Sequence, residues 1–294
     1  MLPTWRDQSE GDSWHRHMTP HRHRGLLQGM LGVTLLAVTA FAMIGCAAAI
    51  VTPSQTPSAS AAPTVALTPE PSSIPTLPPI PPAIPGNALT VFQGPRNSNE
   101  VALTFDDGSC EICIGTLVTN LELTGASATF CPNGRYAKNF APYVARIRVL
   151  IAEGRVEMCN HTFSHPDLAT LSDAQIRSEL LDNEAWIEKT FGVTSRPFFR
   201  PPYGAYNARV MQVAGELGFT RVVLWSGSFA DSKPSTSPND TLIAIHMAAA
   251  PGLIMLGHAN YLSTCVELPE IVAYLTSKGL KTVTLSQLVG TQYP

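Results

Sequence analysis

Residues 101–108 read VALTFDDG, a short apolar run, Val101–Phe105, that ends on two adjacent carboxylates and a glycine. The run is a candidate β-strand, and similar runs recur along the rest of the chain. Further candidate strands are Ala128–Cys131, Val156–Cys159, Pro197–Phe199, Val222–Trp225, Leu253–Leu256 and Thr282–Thr284. Amphipathic stretches lie between them. The clearest runs from Ser172 to Phe191: Ser172 with Gln175 makes a capping-box pattern, and Ile176, Leu180 and Ile187 form an apolar stripe. Another runs from Val266 to Lys278 and stops at Gly279. Repeated strand–helix alternation implies parallel strands with helices outside, in a barrel or a doubly wound sheet. In either architecture chemistry gathers at the C-terminal ends of the strands, and the polar clusters of this chain stand just after its candidate strands.

Ahead of this domain the composition changes. The chain has 294 residues, a formal net charge of −3 and 14% charged residues, without the basic stripe that a nucleic-acid partner needs. Residues 1–24 are polar and cationic, with Arg6, Arg16, Arg22 and Arg24, and their histidines His15, His17, His21 and His23 read as part of a solvated tail. Residues 25–51 contain the apolar run Leu31–Val51, long enough to span a hydrocarbon core of about 30 Å. The arginines before it hold that end inside, so the chain beyond the run is exported. Met43-Ile44-Gly45-Cys46 resembles a bacterial lipoprotein processing site in which Cys46 is lipidated; an uncleaved transmembrane helix is the alternative. Both readings place the remainder on the extracellular face of the cell membrane, tethered. Residues 52–87, dense in Pro, Ser, Thr and Ala with Glu70 as the single charge, are expected to form a disordered, extended linker. The folded domain is then 88–294, a suitable size for one α/β unit.

Two clusters suggest metal chemistry. Asp106 and Asp107 would repel one another at a strand end unless one is taken by a metal and the other is left as a base. His161 and His165, four residues apart on an expected helical turn, could share one cation. Two imidazoles and one carboxylate leave positions open for water and substrate, as a hydrolytic site requires. Each cluster alone has an ordinary reading: Asp-Asp-Gly is a common turn, and HxxxH is common on a solvated helix. Three further pieces extend the set. In Arg200-Pro201-Pro202-Tyr203-Gly204 a buried arginine could pair with a carboxylate and the loop N–H groups could meet an oxyanion. His258 follows the strand Leu253–Leu256, and Asp231, beyond Trp225, could orient it and raise its pKa.

In this order, TFDDG (104–108), HTFSH (161–165), RPPYG (200–204), the Trp225-to-Asp231 segment and Leu256-Gly257-His258 resemble the motifs of the polysaccharide deacetylase family, the NodB-homology domain of carbohydrate esterase family 4. The longer matches NHTFSHPDL (160–168) and FRPPYGAYN (199–207) add to it, and the resemblance runs from about Ala88 to Leu288. It implies a distorted (β/α) barrel of seven or eight parallel strands and one divalent metal, zinc first, with Co2+, Ni2+ or Mn2+ as alternatives. By position, Asp107, His161 and His165 are the expected ligands. Asp106, held by Arg200, is the expected base on a metal-activated water, and the backbone N–H of Tyr203 the expected oxyanion donor. His258, oriented by Asp231, is the expected acid. The substrate implied is an N-acetylated cell-wall or chitin-like polysaccharide. The fourth motif departs from the family, with Ser226 and Ser232 where an Asp and a Trp are usual, which leaves the acetyl pocket's wall and hence the sugar open.

The remaining alternatives are an O-acetyl esterase acting on a xylan-type polymer, a catalytically inactive carbohydrate-binding module, and a small-molecule C–N hydrolase on the same fold. Apart from Cys46, the cysteines are Cys110, Cys113, Cys131, Cys159 and Cys265. The expected pairing joins Cys131 to Cys159, at the ends of consecutive strands, and Cys265 to either Cys110 or Cys113.

Overall fold

The computed structural model describes residues 76–290, so the leader, the apolar run with Cys46 and most of the Pro-rich stretch lie outside the described residues. Among the described residues no helix is long and apolar enough to cross a membrane. The described residues form nine strands: β1 (Leu89–Val91), β2 (Glu100–Asp107), β3 (Ala128–Pro132), β4 (Val156–Met158), β5 (Phe198–Phe199), β6 (Arg221–Val223), β7 (Gly227–Ser228), β8 (Ile254–His258) and β9 (Lys281–Val283). Every pairing among them is parallel. One sheet runs β4-β3-β2-β8-β7 with β9 also on β2, the other β1-β6-β5. An isolated parallel bridge from Asn160 to Phe199 joins the end of β4 to β5. Strands β2 to β8 therefore follow one another around a ring in chain order, open where β6 and β7 do not pair. This ring of seven strands is the distorted barrel expected, with β1 paired to β6 and β9 to β2 as two further strands. Strands β1 and β7, three and two residues long, are not among the candidate strands of the sequence. Both are short, and each is extended where β6 or β8 offers it an open backbone edge.

Strand β2 shows how the layers form. Val101, Leu103 and Phe105 point outward into a core shared with Ile114, Leu117, Leu268 and Ile271, whereas Ala102 points inward to Phe198, Val223 and Ile254. The two-residue period of a strand sends Thr104 and Asp106 inward with Ala102. Eight helices accompany these strands in the described residues: α1 (Glu111–Thr124), α2 (Ala137–Phe140), α3 (Val144–Ala152), α4 (Asp173–Phe191), α5 (Ala208–Glu216), α6 (Pro238–Ala248), α7 (Leu262–Ser277) and α8 (Leu285–Val289). Helix α4 has the capping box anticipated, with Ser172 and Gln175 exchanging bonds, and contributes about 1 kcal/mol at that end. Helix α7 begins at Leu262, four residues before the expected start, and runs through Pro269. Proline cannot donate to the carbonyl of Cys265 four residues back. The side-chain amide of Asn120 on α1 takes that carbonyl at 2.8 Å, which removes the penalty that would otherwise end the helix.

The last part of the expected linker falls on described residues. Residues 76–87 contain neither helix nor strand, yet they lie against the end of the barrel where β5 and β6 begin. The N–H of Gly86 donates to the carbonyl of Gly215 at 2.9 Å, and Ile84, Pro85 and Asn87 line a cavity of about 760 Å3 with Thr194, Arg196 and Thr220. A Cβ on Gly215 would stand 2.2 Å from the Gly86 carbonyl oxygen, so glycine is what permits this approach. Residues 78–87 stay exposed to solvent while making these contacts.

Candidate active site and metal centre

The C-terminal ends of β2, β4, β5 and β8 bring the sequence clusters together. At the end of β2, Asp106 continues the inward face, while Asp107 has a φ of 69° and Gly108 a φ of 113°, which turns the chain away from the strand. A Cβ at Gly108 would also stand 2.2 Å from the ring of Phe140. The two neighbouring carboxylates consequently face different surroundings.

Asp106 is buried and bound to Arg200: its Oδ1 accepts from Nη1 at 2.7 Å. Arg200 is fully buried, and its other donors reach Thr104 Oγ1 at 2.8 Å and the carbonyls of Val223 and Leu224 at 3.2 and 3.3 Å. Such a charge is tolerable in the interior only because its donors are matched. Burial pushes the Asp106 carboxyl up, but the charge and hydrogen bond of Arg200, with the charge of His258, more than offset it and hold the group below its ordinary value. Asp106 is therefore a carboxylate at neutral pH, able to accept a proton.

Asp107 faces the histidines. Its Oδ1 lies 3.6 Å from His161 Nε2 and 3.5 Å from His165 Nε2, and one ligand atom from each of the three residues lies within 4.8 Å of the others. The ring Nδ1 of His161 lies 2.7 Å from the carbonyl of Arg200, which can only accept, so Nδ1 carries a hydrogen and Nε2 is the atom turned to Asp107. Burial and the neighbouring His161 keep His165 below its ordinary pKa despite the aspartates, which favours the neutral ring. One carboxylate oxygen and two imidazole nitrogens converging in this way fit a divalent cation, and the carbonyl-bound imidazole is the usual support of such a ligand.

The histidine loop corrects the helical turn expected of HTFSH. Residues 161–165 form no helix, and Thr162 and His165 have φ of 67° and 63°. Three fully buried asparagines hold that backbone. Asn160 Oδ1 accepts the N–H of Thr162 at 2.9 Å, and Asn133 Nδ2 donates to the carbonyls of His161 and Thr162 at 2.5 and 3.0 Å. Asn183 on α4 donates to Asn160 Oδ1 at 3.1 Å and to the carbonyl of Pro132 at 3.0 Å. Left-handed backbone at non-glycine residues costs about 1–3 kcal/mol each and needs such surroundings. The structure brings His161 and His165 together, though not on the helical turn expected.

Tyr203 also has a left-handed φ, 60°, in the turn Pro202–Gly204, and its ring packs edge-on to His165 with centroids 4.6 Å apart. Opposite, His258 closes β8 in register with Asp106. Its Nδ1 lies 2.8 Å from Asp231 Oδ1, and its backbone N–H donates to Asp231 Oδ2 at 3.0 Å. The hydroxyl of Thr264 donates to the same Oδ2 at 2.6 Å. Burial lowers the pKa of His258, but the bond to Asp231 and the charges of Asp106, Asp231 and Asp107 outweigh it and raise it to about 9. The group is therefore protonated at neutral pH. Asp231 is reached through β7, not directly from β6, and Ser226 is absorbed into that pairing: its N–H donates to the carbonyl of Ile254 and its Oγ accepts the N–H of Ile254.

The cysteines are arranged otherwise than expected. Cys110 is bonded to Cys113, and Cys131, Cys159 and Cys265 are buried thiols. Cys110 caps α1, and the first helical turn puts the two Cα atoms 5.2 Å apart, within reach of a bond, whereas Cys265 is turned into the core from α7. Cys131 and Cys159 are neighbours inside the barrel as anticipated, with thiol against thiol, and burial together with that contact raises Cys131 well above the ordinary thiol value.

Two supports went unread in the sequence. One is the asparagine set, of which only Asn160 borders a motif. The other is Asn260, whose Nδ2 donates to Asp107 Oδ2 at 2.6 Å.

This site can be set beside known proteins. A family model described as polysaccharide deacetylase matches residues 93–222. A peptidoglycan-N-acetylglucosamine deacetylase of Bacillus cereus is 33% identical over 204 residues, which cover 68% of this chain and 72% of that one. A chitin deacetylase of Pestalotiopsis is 30% identical over 198 residues, 65% of this chain and 64% of the fungal one. Among solved structures, the Bc1960 peptidoglycan N-acetylglucosamine deacetylase is 30% identical with a TM-score of 0.62, over 69% of this chain and 94% of that one. The fold is shared also with wild-type BA3943 of Bacillus anthracis, described as a carbohydrate esterase family 4 pseudoenzyme, at 23% identity and a TM-score of 0.61 over 70% of each chain. The chain belongs to the polysaccharide deacetylase family, carbohydrate esterase family 4.

Proposed function

We propose that this chain removes acetyl groups from an N-acetylated cell-wall or chitin-like polysaccharide. The observation that carries the reading is the divergence of Asp106 and Asp107. Neighbours in sequence, one is a carboxylate buried on Arg200 with its second oxygen 3.6 Å from His161, and the other faces both His161 and His165 and lies apart from the guanidinium. Asp107, His161 and His165 would hold one divalent cation. Such a cation, zinc being the first candidate, supplies Lewis acidity for the water and the acetyl carbonyl.

The remaining roles belong to the chain's own side chains. Asp106 takes the proton of the attacking water, kept ionised for that task by Arg200. His258, protonated at neutral pH and aimed by Asp231, gives a proton to the departing amine nitrogen. The left-handed turn at Tyr203 supports a backbone N–H as donor to the developing oxyanion. The N-acetyl preference is supported by the names of the relatives above, and the chain's segment 25–51 supports a place on the outer face of the membrane, held by a lipid on Cys46 or by a helix.

Acetate release from N-acetylated peptidoglycan, chitin oligosaccharides and acetylxylan tests the proposal, with and without chelator. Release from an N-acetylated polymer is expected, lost on chelation and restored by zinc or cobalt. Release from acetylxylan alone would replace it with the esterase reading, and no release from any polymer by the metal-loaded protein would replace it with a binding module.

A further inference from the structure

We propose that Asn260 is a positioning residue that selects which oxygen of Asp107 faces the histidines. This rests on the reading that Asp107, His161 and His165 hold a divalent cation. Asn260 lies two residues beyond His258, in the turn between β8 and α7. Its side-chain amide is used at both ends, each with the correct polarity. Nδ2 donates to Asp107 Oδ2 at 2.6 Å, a short, charge-assisted bond. Oδ1 accepts the N–H of Ser109 at 3.0 Å, the hydroxyl of Ser109 at 2.7 Å and, more weakly, the N–H of Gly108 at 3.4 Å. The amide therefore cannot flip without setting its oxygen against a carboxylate and its NH2 against two donors.

The consequence is a division of labour within one carboxylate. Oδ2 is held by Asn260, while Oδ1 is the oxygen 3.6 and 3.5 Å from His161 Nε2 and His165 Nε2. Asp107 is the last residue of β2, its carbonyl accepting the N–H of Asn133 at 3.2 Å, and backbone pairing of that kind does not fix the rotation of its carboxylate. The turn that places His258 thus also sets the cation-facing oxygen. Asp at 260 could not do this: it would offer an acceptor to an acceptor.

Supports of this kind are typically worth about 10–100-fold in metal affinity. The test measures zinc affinity of the full-length protein by competition with a chromophoric chelator, for wild type, Asn260→Ala and Ser109→Ala. Asn260→Ala is expected to weaken zinc binding by about 10–100-fold while the metal-free protein keeps its far-ultraviolet circular dichroism. Ser109→Ala loses a bond to the same amide but keeps the one to Asp107, so its affinity is expected to stay that of wild type. Wild-type affinity in Asn260→Ala would overturn the inference, as would an equal loss in Ser109→Ala, which would mean a merely structural turn. Failure of the wild type to bind zinc or another divalent ion would instead overturn the metal-site reading beneath it.

Discussion

Asp231→Asn should shift the alkaline limb of the pH profile. In the native site Asp231 Oδ1 meets His258 Nδ1 at 2.8 Å, and Oδ2 is saturated by the His258 N–H and the Thr264 hydroxyl. Burial opposes the charged imidazolium, yet the bond to Asp231 and the surrounding carboxylates carry His258 from 6.5 to about 9. That difference corresponds to roughly 3 kcal/mol in favour of the protonated ring. An amide of the same shape keeps its oxygen on the Oδ2 partners and turns its NH2 toward Nδ1, which must then be unprotonated. The charge that favoured imidazolium is gone and burial remains, so the pKa returns to about 6.5 or lower. At about pH 7.5 the acid form falls from nearly all molecules to about a tenth, so kcat/KM drops at least about tenfold. A cation at Asp107 lowers the limb in wild type and variant alike and leaves the direction unchanged. Initial rates of acetate release from a chitin oligosaccharide, measured across the alkaline range in zinc buffer, show it. A limb in the wild-type position with Asn at 231 would refute His258 as an acid tuned by Asp231. The same raised pKa makes a stability contribution fully present below 6.5 and lost as pH rises through about 9. The Tm of metal-free wild type should therefore fall across that window relative to the variant's.

Other contacts in the site and the core carry expected outcomes of their own. Asp106→Asn should lower kcat by about 10²–10⁴ with zinc affinity nearly unchanged, and a loss of zinc measured by competition would mean that the two aspartates have exchanged roles. Arg200→Met leaves Asp106 buried without its cation and should cost about 3–5 kcal/mol in urea unfolding; a change under about 1 kcal/mol would show that the carboxylate finds water instead. Thiol titration of the folded domain in denaturant should count three, from Cys131, Cys159 and Cys265, and two more only after reduction. Fewer than three before reduction would place a second bond inside the barrel.

Much of the site was legible because its residues occupy strand ends, which the apolar runs mark directly. Asp106, Asp107, His258 and Arg200 each follow a run that did become a strand, and parallel pairing puts such ends on one rim. The capping box of α4 was equally plain, since it involves residues only three apart. Readings failed where the partner is remote. The passage of α7 through Pro269 depends on Asn120, on another helix, which takes the carbonyl of Cys265. The HTFSH loop looked helical because its left-handed residues depend on Asn133 and Asn183, distant from it in sequence. β1 and β7, three and two residues long, are too short to stand out and are defined by the edges they join.

The sequence by itself determined the parallel α/β class, the order of the strands and the identities of the chemical groups, because period, propensity and residue type are local properties. Tertiary structure alone decided what those groups became. It turned Asp106 toward a buried guanidinium and Asp107 toward two imidazoles, gave His258 its carboxylate, and let Asn260 hold one oxygen of Asp107 while the other faces the histidines. The physical reason is that pKa and ligand geometry depend on charges and donors a few ångströms away, and here almost all of those come from residues many positions distant in the chain.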